Sequence, residues 1–414
     1  MSARRPRVLV VGAGFGGLRV ARALRHAPVD VLLVDRGNVH VFQPLLYQVA
    51  TAGLSVDNVT RPVRAIFRRQ RNVAFRMAEV TGLDLGARTA ATPDGPLPWD
   101  FLVLAAGGGT NFFGNTGLAA HSLGLKEVED AVRVRNHVLR RFEQAAITME
   151  EARRRELLTL VLVGGGPTGI ELAGALAELA HLVLAREYAG LHPGEIRILL
   201  LEMGTRLLPA LPEKLGSYAL RSLTRKGVEV RFGVRVEGYD GRVVELGGGE
   251  RLPAGTLLWA AGIRASHLLA GLGLPLGPQG RIPVLPSLQV NGHPQVYAIG
   301  DAAYLEQDGQ ALPMVAQVAM QMGVHAAMNI QRQLRREKPR PFRYRDLGTM
   351  ATIGRRAAVA HLAGIELTGL VAWIAWLALH VVQLIGYRNR VVVLVNWAWN
   401  YLFYDPANRR IGPE

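Results

Sequence analysis

Cysteine is absent from all 414 residues. Disulfides, thiolate metal sites, cysteine-ligated iron–sulfur clusters and any dithiol redox centre are excluded with it. If the chain does redox chemistry, its redox group is a bound cofactor. Lysine is scarce too: Lys126, Lys214, Lys226 and Lys338 are the only four, so arginine carries almost all of a formal net charge of +15. That excess favours anionic partners such as lipid headgroups, nucleotides or nucleic acid. Residues 1–7 hold no apolar core, so no signal peptide is expected, and the expected place is the cytoplasm or the cytoplasmic face of a membrane. Glycine is plentiful, at 47 residues, beside a hydrophobic content of 49%. At this length the composition reads as α/β and globular, with two or three domains.

The glycines cluster into the same pattern twice. Gly12-x-Gly14-x-x-Gly17 follows an apolar strand at 7–11 and runs into a helix at 18–24. The next strand, 29–35, ends in Asp35, about 20 residues past the glycines, where a carboxylate can take ribose hydroxyls. Gly164-x-Gly166-x-x-Gly169 repeats the arrangement, with Pro167 in the first helical turn, where its missing N–H costs nothing. In such a motif the glycines permit a tight turn, close approach of backbone to a pyrophosphate, and close helix–strand packing. The strand after the second motif, 196–202, ends in Glu202, and 188–194 reads as an inserted loop. A carboxylate there selects a 2′-hydroxyl, hence NADH over NADPH, with Arg206 nearby as the counter-signal. Strands at 102–109 and 256–262 both end in small residues, which suggests two internally related domains. Two dinucleotide sites imply that electrons enter on one nucleotide and leave through another.

Other segments are less specific. The irregular stretch 38–54 mixes polar and aromatic residues and suits either wrapping a ring system or packing on a sheet. Residues 61–76 carry six arginines and no acid, as a solvated helix face or a lipid-attracting one. Asp301 ends a buried strand, where it can accept from a ribityl hydroxyl. Gln317 and Gln321 lie one turn apart on a helix at 313–336, either meeting a flavin or quinone or simply starting the helix. Glu171 is an acid early in an apolar helix, where the helix dipole alone could explain it. A basic linker at 332–345 marks a boundary. Beyond it, 367–385 has nineteen residues without formal charge, and 391–404 adds Trp397, Trp399, Tyr401 and Tyr404. Such aromatic, arginine-flanked segments suit a membrane interface; a true span, which needs ~20 apolar residues, and ordinary core are the alternatives.

Five stretches together carry a family resemblance: Gly12 to Gly17, Phe42-Gln43-Pro44-Leu45-Leu46-Tyr47-Gln48-Val49-Ala50, Gly164 to Gly174, Ile299-Gly300-Asp301-Ala302 and Ala316-Gln317-Val318-Ala319-Met320-Gln321. The chain resembles the type II NADH dehydrogenases, single-subunit, non-proton-pumping NADH:quinone oxidoreductases with FAD, from about residue 6 to 405. The resemblance implies an α/β fold of two Rossmann-like dinucleotide-binding domains plus a C-terminal membrane-anchoring region. The expected division is 1–115 and 266–345 for FAD, 116–265 for NADH and 346–414 for the membrane. Non-covalent FAD would be held by Gly12, Ala13, Gly14, Phe15, Gly16, Gly17, Asp35, His40, Val80, Asp301, Ala316 and Gln317. NADH, as substrate, would sit on Gly164, Gly166, Thr168, Gly169 and Glu202. The implied catalytic residues are Glu171 and Gln317, and the quinone, menaquinone or ubiquinone, would meet Gln317, Gln321 and Gln383. Hydride would pass from nicotinamide C4 to flavin N5 and electrons onward to quinone. The enzyme is expected on the cytoplasmic face of the cell membrane as a monotopic protein bound to lipid. A homodimer is allowed, and neither a metal nor nucleic acid is expected. The rival functions are a ferredoxin-type reductase and an NADH-sensing flavoprotein that binds lipid or nucleic acid. Sulfide:quinone and disulfide reductases need the cysteines that are missing.

Overall fold

Val8, Leu9 and Val10 have no exposed surface, because the strand Arg7–Val11 lies inside a six-stranded sheet. A strand apolar on both faces forms where parallel neighbours and covering helices bury both. The sheet order is Gln289–Val290, His293–Ala298, Phe101–Leu104, Arg7–Val11, Asp30–Asp35 and Val73–Met77. Only the Gln289–Val290 edge is antiparallel. The helices Phe15–Ala23 and Ala316–Leu334 pack on each other. These elements belong to the first of two compact units, which takes 1–41, 60–109 and 263–346. The computed structural model describes residues 4–188, 190–403 and 408–412. Tyr404 lies outside them.

The second unit takes 42–59, 110–262 and 347–414. Its parallel sheet runs Val228–Phe232, Arg197–Glu202, Thr159–Val163 and Thr256–Trp259. A core of Val161, Val163, Leu199, Leu201, Val244 and Trp259 lies between this sheet and an antiparallel meander. The helix Pro167–Leu179 leaves the second glycine turn and continues as a π-helical turn, Ala180–Leu184. This stretch has the length and apolar composition of a membrane span, but most of it is buried within the protein. A three-stranded antiparallel sheet, Thr349–Gly354, Ala357–Leu362 and Ile365–Thr368, lies against that helix. A Cβ at Gly174 would stand 2.2 Å from the Ile353 carbonyl oxygen, so helix and strand meet at a spacing that only glycine permits. This division groups 42–59 and 347–414 with the second dinucleotide sheet, whereas the sequence expectation ran the first domain unbroken to 115 and set 346–414 apart.

The tail explains that grouping. Gly369–Gln383 has 15 residues, about 22 Å of helix, short of the ~30 Å hydrocarbon thickness. The chain then breaks before a second helix, Tyr387–Phe403, so the uncharged run is no single span. This second helix is polar inward and apolar outward. Asn389 donates to the Asp57 carbonyl, Asn396 to Asn58 Oδ1 at 3.1 Å, and Asn400 to the Gly53 carbonyl at 3.1 Å. Val391, Val395, Trp399, Leu402 and Phe403 are exposed on the other side. The polar stripe follows helical spacing and satisfies backbone carbonyls of the 53–58 segment, at Gly53 and in the short helix Val56–Val59.

Candidate active site

In the first unit Gly12 has φ +106°, and a Cβ there would lie 2.2 Å from the Ala105 carbonyl oxygen. At Gly17 it would lie 1.9 Å from the Gly12 carbonyl oxygen, while at Gly14 it would meet nothing within 4 Å. The turn is therefore pressed against its own strand and helix on one side and open on the other. Asp35 fixes it, accepting from the Ala13 N–H at 2.6 Å and the Gly37 N–H at 2.9 Å. The Ala13 carbonyl is held in turn by His40 Nδ1 at 3.1 Å. Burial lowers the His40 pKa to about 4, so the ring is neutral at pH 7 and Nδ1 carries the hydrogen it donates. Phe15 meets the His40 ring edge-on at 5.0 Å. Val80 is buried just past the strand that pairs with Asp30–Asp35.

Asp301 is buried in the turn Gly300–Ala302. Its carboxylate stands 3.2 Å from where a Gly108 Cβ would be, so it faces the small-residue strand end. Arg281, also buried, spends its donors on the Ala303 and Leu312 carbonyls beside it. Ala316 and Gln317 start the helix Ala316–Leu334, with Tyr344 Oη 3.5 Å from Gln317 Oε1. Gln321 has both ends of its amide engaged by the Arg345 backbone, at 2.8 and 3.1 Å.

The second turn copies the first. Gly164 has φ +109° and a Cβ site 2.7 Å from the Ala260 carbonyl oxygen; the Gly169 site is 1.9 Å from the Gly164 carbonyl oxygen, and Gly166 is open. Glu202 accepts from the Gly165 N–H at 2.5 Å and the Gly204 N–H at 2.6 Å. Here the Leu208 N–H, at 2.9 Å from the Gly165 carbonyl oxygen, does what His40 does in the first turn. Arg206 reaches the Leu211 and Pro209 carbonyls at 2.9 and 2.5 Å, so its guanidinium braces its own loop. Thr168 is exposed in the first turn of the helix. Each turn has an open lip, amides at a helix N-terminus and a carboxylate in register, which fits the diphosphate and ribose of a dinucleotide.

Glu171 lies one turn further along Pro167–Leu179 and borders a half-open cavity of ≈ 160 Å³. Tyr47, Gln48, Thr352, Trp376, Trp397 and Tyr401 share its wall. Glu171 is half-buried, and the surface it retains opens into this cavity rather than bulk water. Burial pushes its carboxyl up to about 8, partly offset by the Thr352 N–H at 3.4 Å. The Trp376 indole favours the charged form from nearby without completing a hydrogen bond. A helix N-terminus offers a carboxylate roughly 0.3–1 kcal/mol, well under the upward shift, so burial decides and the group holds its proton at neutral pH. His380 stacks on Trp376 at 4.0 Å with Nδ1 on the Trp376 carbonyl, and burial holds its pKa near 4. Gln383 is exposed at the end of Gly369–Gln383, outside the cavity wall.

Residues 6–323 match the pyridine nucleotide-disulphide oxidoreductase family and 347–404 the NDH2 C-terminal domain. The type II NADH:quinone oxidoreductase NdhA of Mycobacterium tuberculosis is 39% identical over 96% of this chain and 87% of its own length. The chain belongs to the type II NADH:quinone oxidoreductases. The same organism's Ndh is 37% identical over 96% of this chain and 89% of its own length. A Plasmodium falciparum NDH2 structure determined with NADH superposes on this type II chain with a TM-score of 0.90, covering 99% of it and 100% of the other, at 19% identity. The sulfide:quinone oxidoreductase of Aquifex aeolicus shares the fold at a TM-score of 0.73 and 16% identity, covering 99% of this chain and 93% of that one. Without cysteine, the disulfide chemistry in the wider family's name is unavailable to this enzyme.

Sequence reasoning passed over the cavity wall. Tyr47, Gln48, Thr352, Trp376 and Trp397 come from three distant stretches, and no spacing rule joins them. The signals that were present are the Phe42–Ala50 motif and the tryptophan-rich tail.

Proposed function

We propose that the enzyme oxidises NADH and reduces a membrane quinone by way of a non-covalently bound FAD, without moving protons across the membrane. The observation that carries this reading is one helix that serves both a glycine turn and a cavity. Pro167–Leu179 begins on the second glycine turn and carries Glu171, one turn later, into a cavity walled by the aromatic tail. A dinucleotide site and a ring-sized apolar cavity thus share a rigid element. A cavity of roughly 150 Å³ holds one benzene-sized ring, which suits a quinone headgroup and not a dinucleotide.

When bound, FAD supplies two-electron chemistry that no side chain here can provide. Its diphosphate is assigned to the Gly12–Gly17 turn with Phe15, its ribose to Asp35, its adenine to Val80 and its ribityl chain to Asp301. His40 keeps the turn oriented, and Ala316 and Gln317 are assigned to the ring end. NADH is assigned to Gly164, Gly166, Thr168 and Gly169, with Glu202 taking the 2′-hydroxyl. Arg206 braces its own loop, which supports NADH over NADPH. Glu171, neutral at pH 7, holds a proton on the cavity wall and is the group we assign to deliver it as the quinone is reduced. Gln317, Gln321 and Gln383, none of which lines the Glu171 cavity, remain our assignments for quinone contacts outside it. Gln321 would first have to leave the Arg345 backbone.

The outward apolar face of Tyr387–Phe403 supports a monotopic seat in the headgroup region. Basic residues at 61–76 and 332–345 favour an anionic leaflet, at about 1 kcal/mol per well-placed residue. We place the enzyme on the cytoplasmic face. Anaerobic stopped-flow measurement tests the function: NADH should bleach the flavin absorbance, and a menaquinone analogue should restore it far faster than oxygen does. Equal rates with quinone and oxygen would overturn the quinone-reductase reading.

A further inference from the structure

A hydrogen-bond chain runs from the tail helix to the Glu171 cavity. Trp397 Nε1 donates to Gln48 Oε1 at 2.7 Å, and Gln48 Nε2 donates to Tyr47 Oη at 2.7 Å. All three side chains line the cavity. The direction of the chain is dictated at its first member. An indole N–H is a donor only, so it takes the carbonyl end of the Gln48 amide. The NH₂ end is thereby turned to Tyr47, whose oxygen has to accept. A phenol accepting through its oxygen keeps its own hydrogen for another partner. Among the described residues, no side chain or carbonyl takes it. Burial and the nearby Glu171 push the phenol well above its ordinary range, so the hydrogen stays on the oxygen.

The donors on the cavity wall therefore include the Tyr47 hydroxyl and the protonated Glu171 carboxyl, set among Arg355 and the aromatic side chains of Trp373, Trp376 and Tyr401. The complementary ligand is a flat ring whose polar groups only accept. A quinone has two such carbonyl oxygens and no donor.

We propose that Trp397 is a positioning residue which, through Gln48, sets Tyr47 to donate a hydrogen bond to a quinone carbonyl in the Glu171 cavity. The proposal rests on the quinone-reductase reading and deepens it. Trp397 belongs to the helix whose asparagines dock on 53–58 and whose other face is apolar and exposed. The seating of that helix thus sets the polarity of a substrate contact.

The test uses full-length holoenzyme with menadione as the probe. Trp397→Phe keeps an aromatic six-membered ring and removes the N–H; the Gln48 amide is then free to turn and take the Tyr47 hydrogen. Gln48→Glu offers Tyr47 only an acceptor and should act alike. Tyr47→Phe removes the donor. Each should raise the menadione KM roughly three- to tenfold, the loss of one neutral hydrogen bond, with the rate of flavin reduction by NADH unchanged. The double variant Trp397→Phe/Tyr47→Phe should be no worse than Tyr47→Phe alone. Gln48→Met cuts the chain without offering an acceptor, leaves the Tyr47 hydrogen free, and should keep the KM within about twofold of wild type. Gln48→Met harming KM as much as Gln48→Glu would show packing rather than polarity and overturn the proposal. Ala175→Leu narrows the cavity and separates the remaining outcomes. If it leaves menadione KM unchanged, the cavity is not the quinone's, and both placement and proposal fall. If it raises KM while Trp397→Phe and Gln48→Glu match wild type, the placement stands and the polarity argument falls.

Discussion

Glu171→Gln isolates the proton from the shape. The amide fills the same space and its oxygen still accepts from the Thr352 N–H. In the wild type, burial raises the carboxyl from 4.5 to about 8. A group whose folded pKa lies above its unfolded value binds its proton more tightly in the folded state. Its contribution is fully present below pH ~4.5 and is lost as pH rises through about 8. At about 1.36 kcal/mol per pH unit, the loss over that window has an upper limit on the order of 5 kcal/mol. The part of Glu171 facing the cavity meets water, so an effective loss of roughly 2–3 kcal/mol is expected. The glutamine variant has no such window. Denaturant unfolding of both holoenzymes at pH 5, 7 and 9 should show the variant gaining on wild type by about that amount across the series. A difference constant within about 0.5 kcal/mol over this range would refute the assignment of a raised carboxyl pKa. In stopped flow, wild-type reoxidation by quinone should slow above pH ~8, while the variant's should be slower throughout and independent of pH. NADH reduction of the flavin should be alike in both.

Gly174→Ala places a Cβ 2.2 Å from the Ile353 carbonyl oxygen and should cost about 1–3 kcal/mol or more in thermal unfolding; an unchanged melting temperature would show that the strand can step back. His40→Leu leaves the buried Ala13 carbonyl without its donor, a loss of about 1–3 kcal/mol. It should speed flavin release roughly tenfold or more on dilution, followed by flavin fluorescence, and full retention would remove His40 from the cradle. Glu202→Gln removes the charge that opposes a 2′-phosphate, so the NADH over NADPH preference in kcat/KM should fall roughly tenfold. Arg206→Ala should leave the NADPH KM unchanged, since that guanidinium is spent on the Leu211 and Pro209 carbonyls. Asn396→Leu with Asn400→Leu should leave vesicle binding intact but expose the tail to protease. These asparagines hold the helix to 53–58, and its opposite face is the apolar one.

Much of this protein follows from local chemistry. A glycine forced to φ above +100° at Gly12 and Gly164, a helix opening behind it, and Asp35 or Glu202 ending the next strand are properties of short stretches. They are legible because turn geometry and strand hydrophobicity act over a few residues. The family, and with it the class of activity, is carried by such stretches. Tertiary packing decided the rest. Whether Arg206 faces a nucleotide or its own loop depends on the carbonyls of Leu211 and Pro209, which no spacing announces. By composition the uncharged tail suits a membrane interface, with a span or ordinary core as alternatives; it breaks after Gln383, and the next helix turns its asparagines inward because the 53–58 segment has carbonyls to satisfy. The Glu171 cavity has no single sequence signature; the Phe42–Ala50 motif and the tryptophan-rich tail each supply only part of its wall. Helix Pro167–Leu179, the strand carrying Thr352, the Tyr47–Gln48 pair and the tail tryptophans come together only through packing, and it is their burial, not the identity of Glu171, that keeps its proton in place at neutral pH.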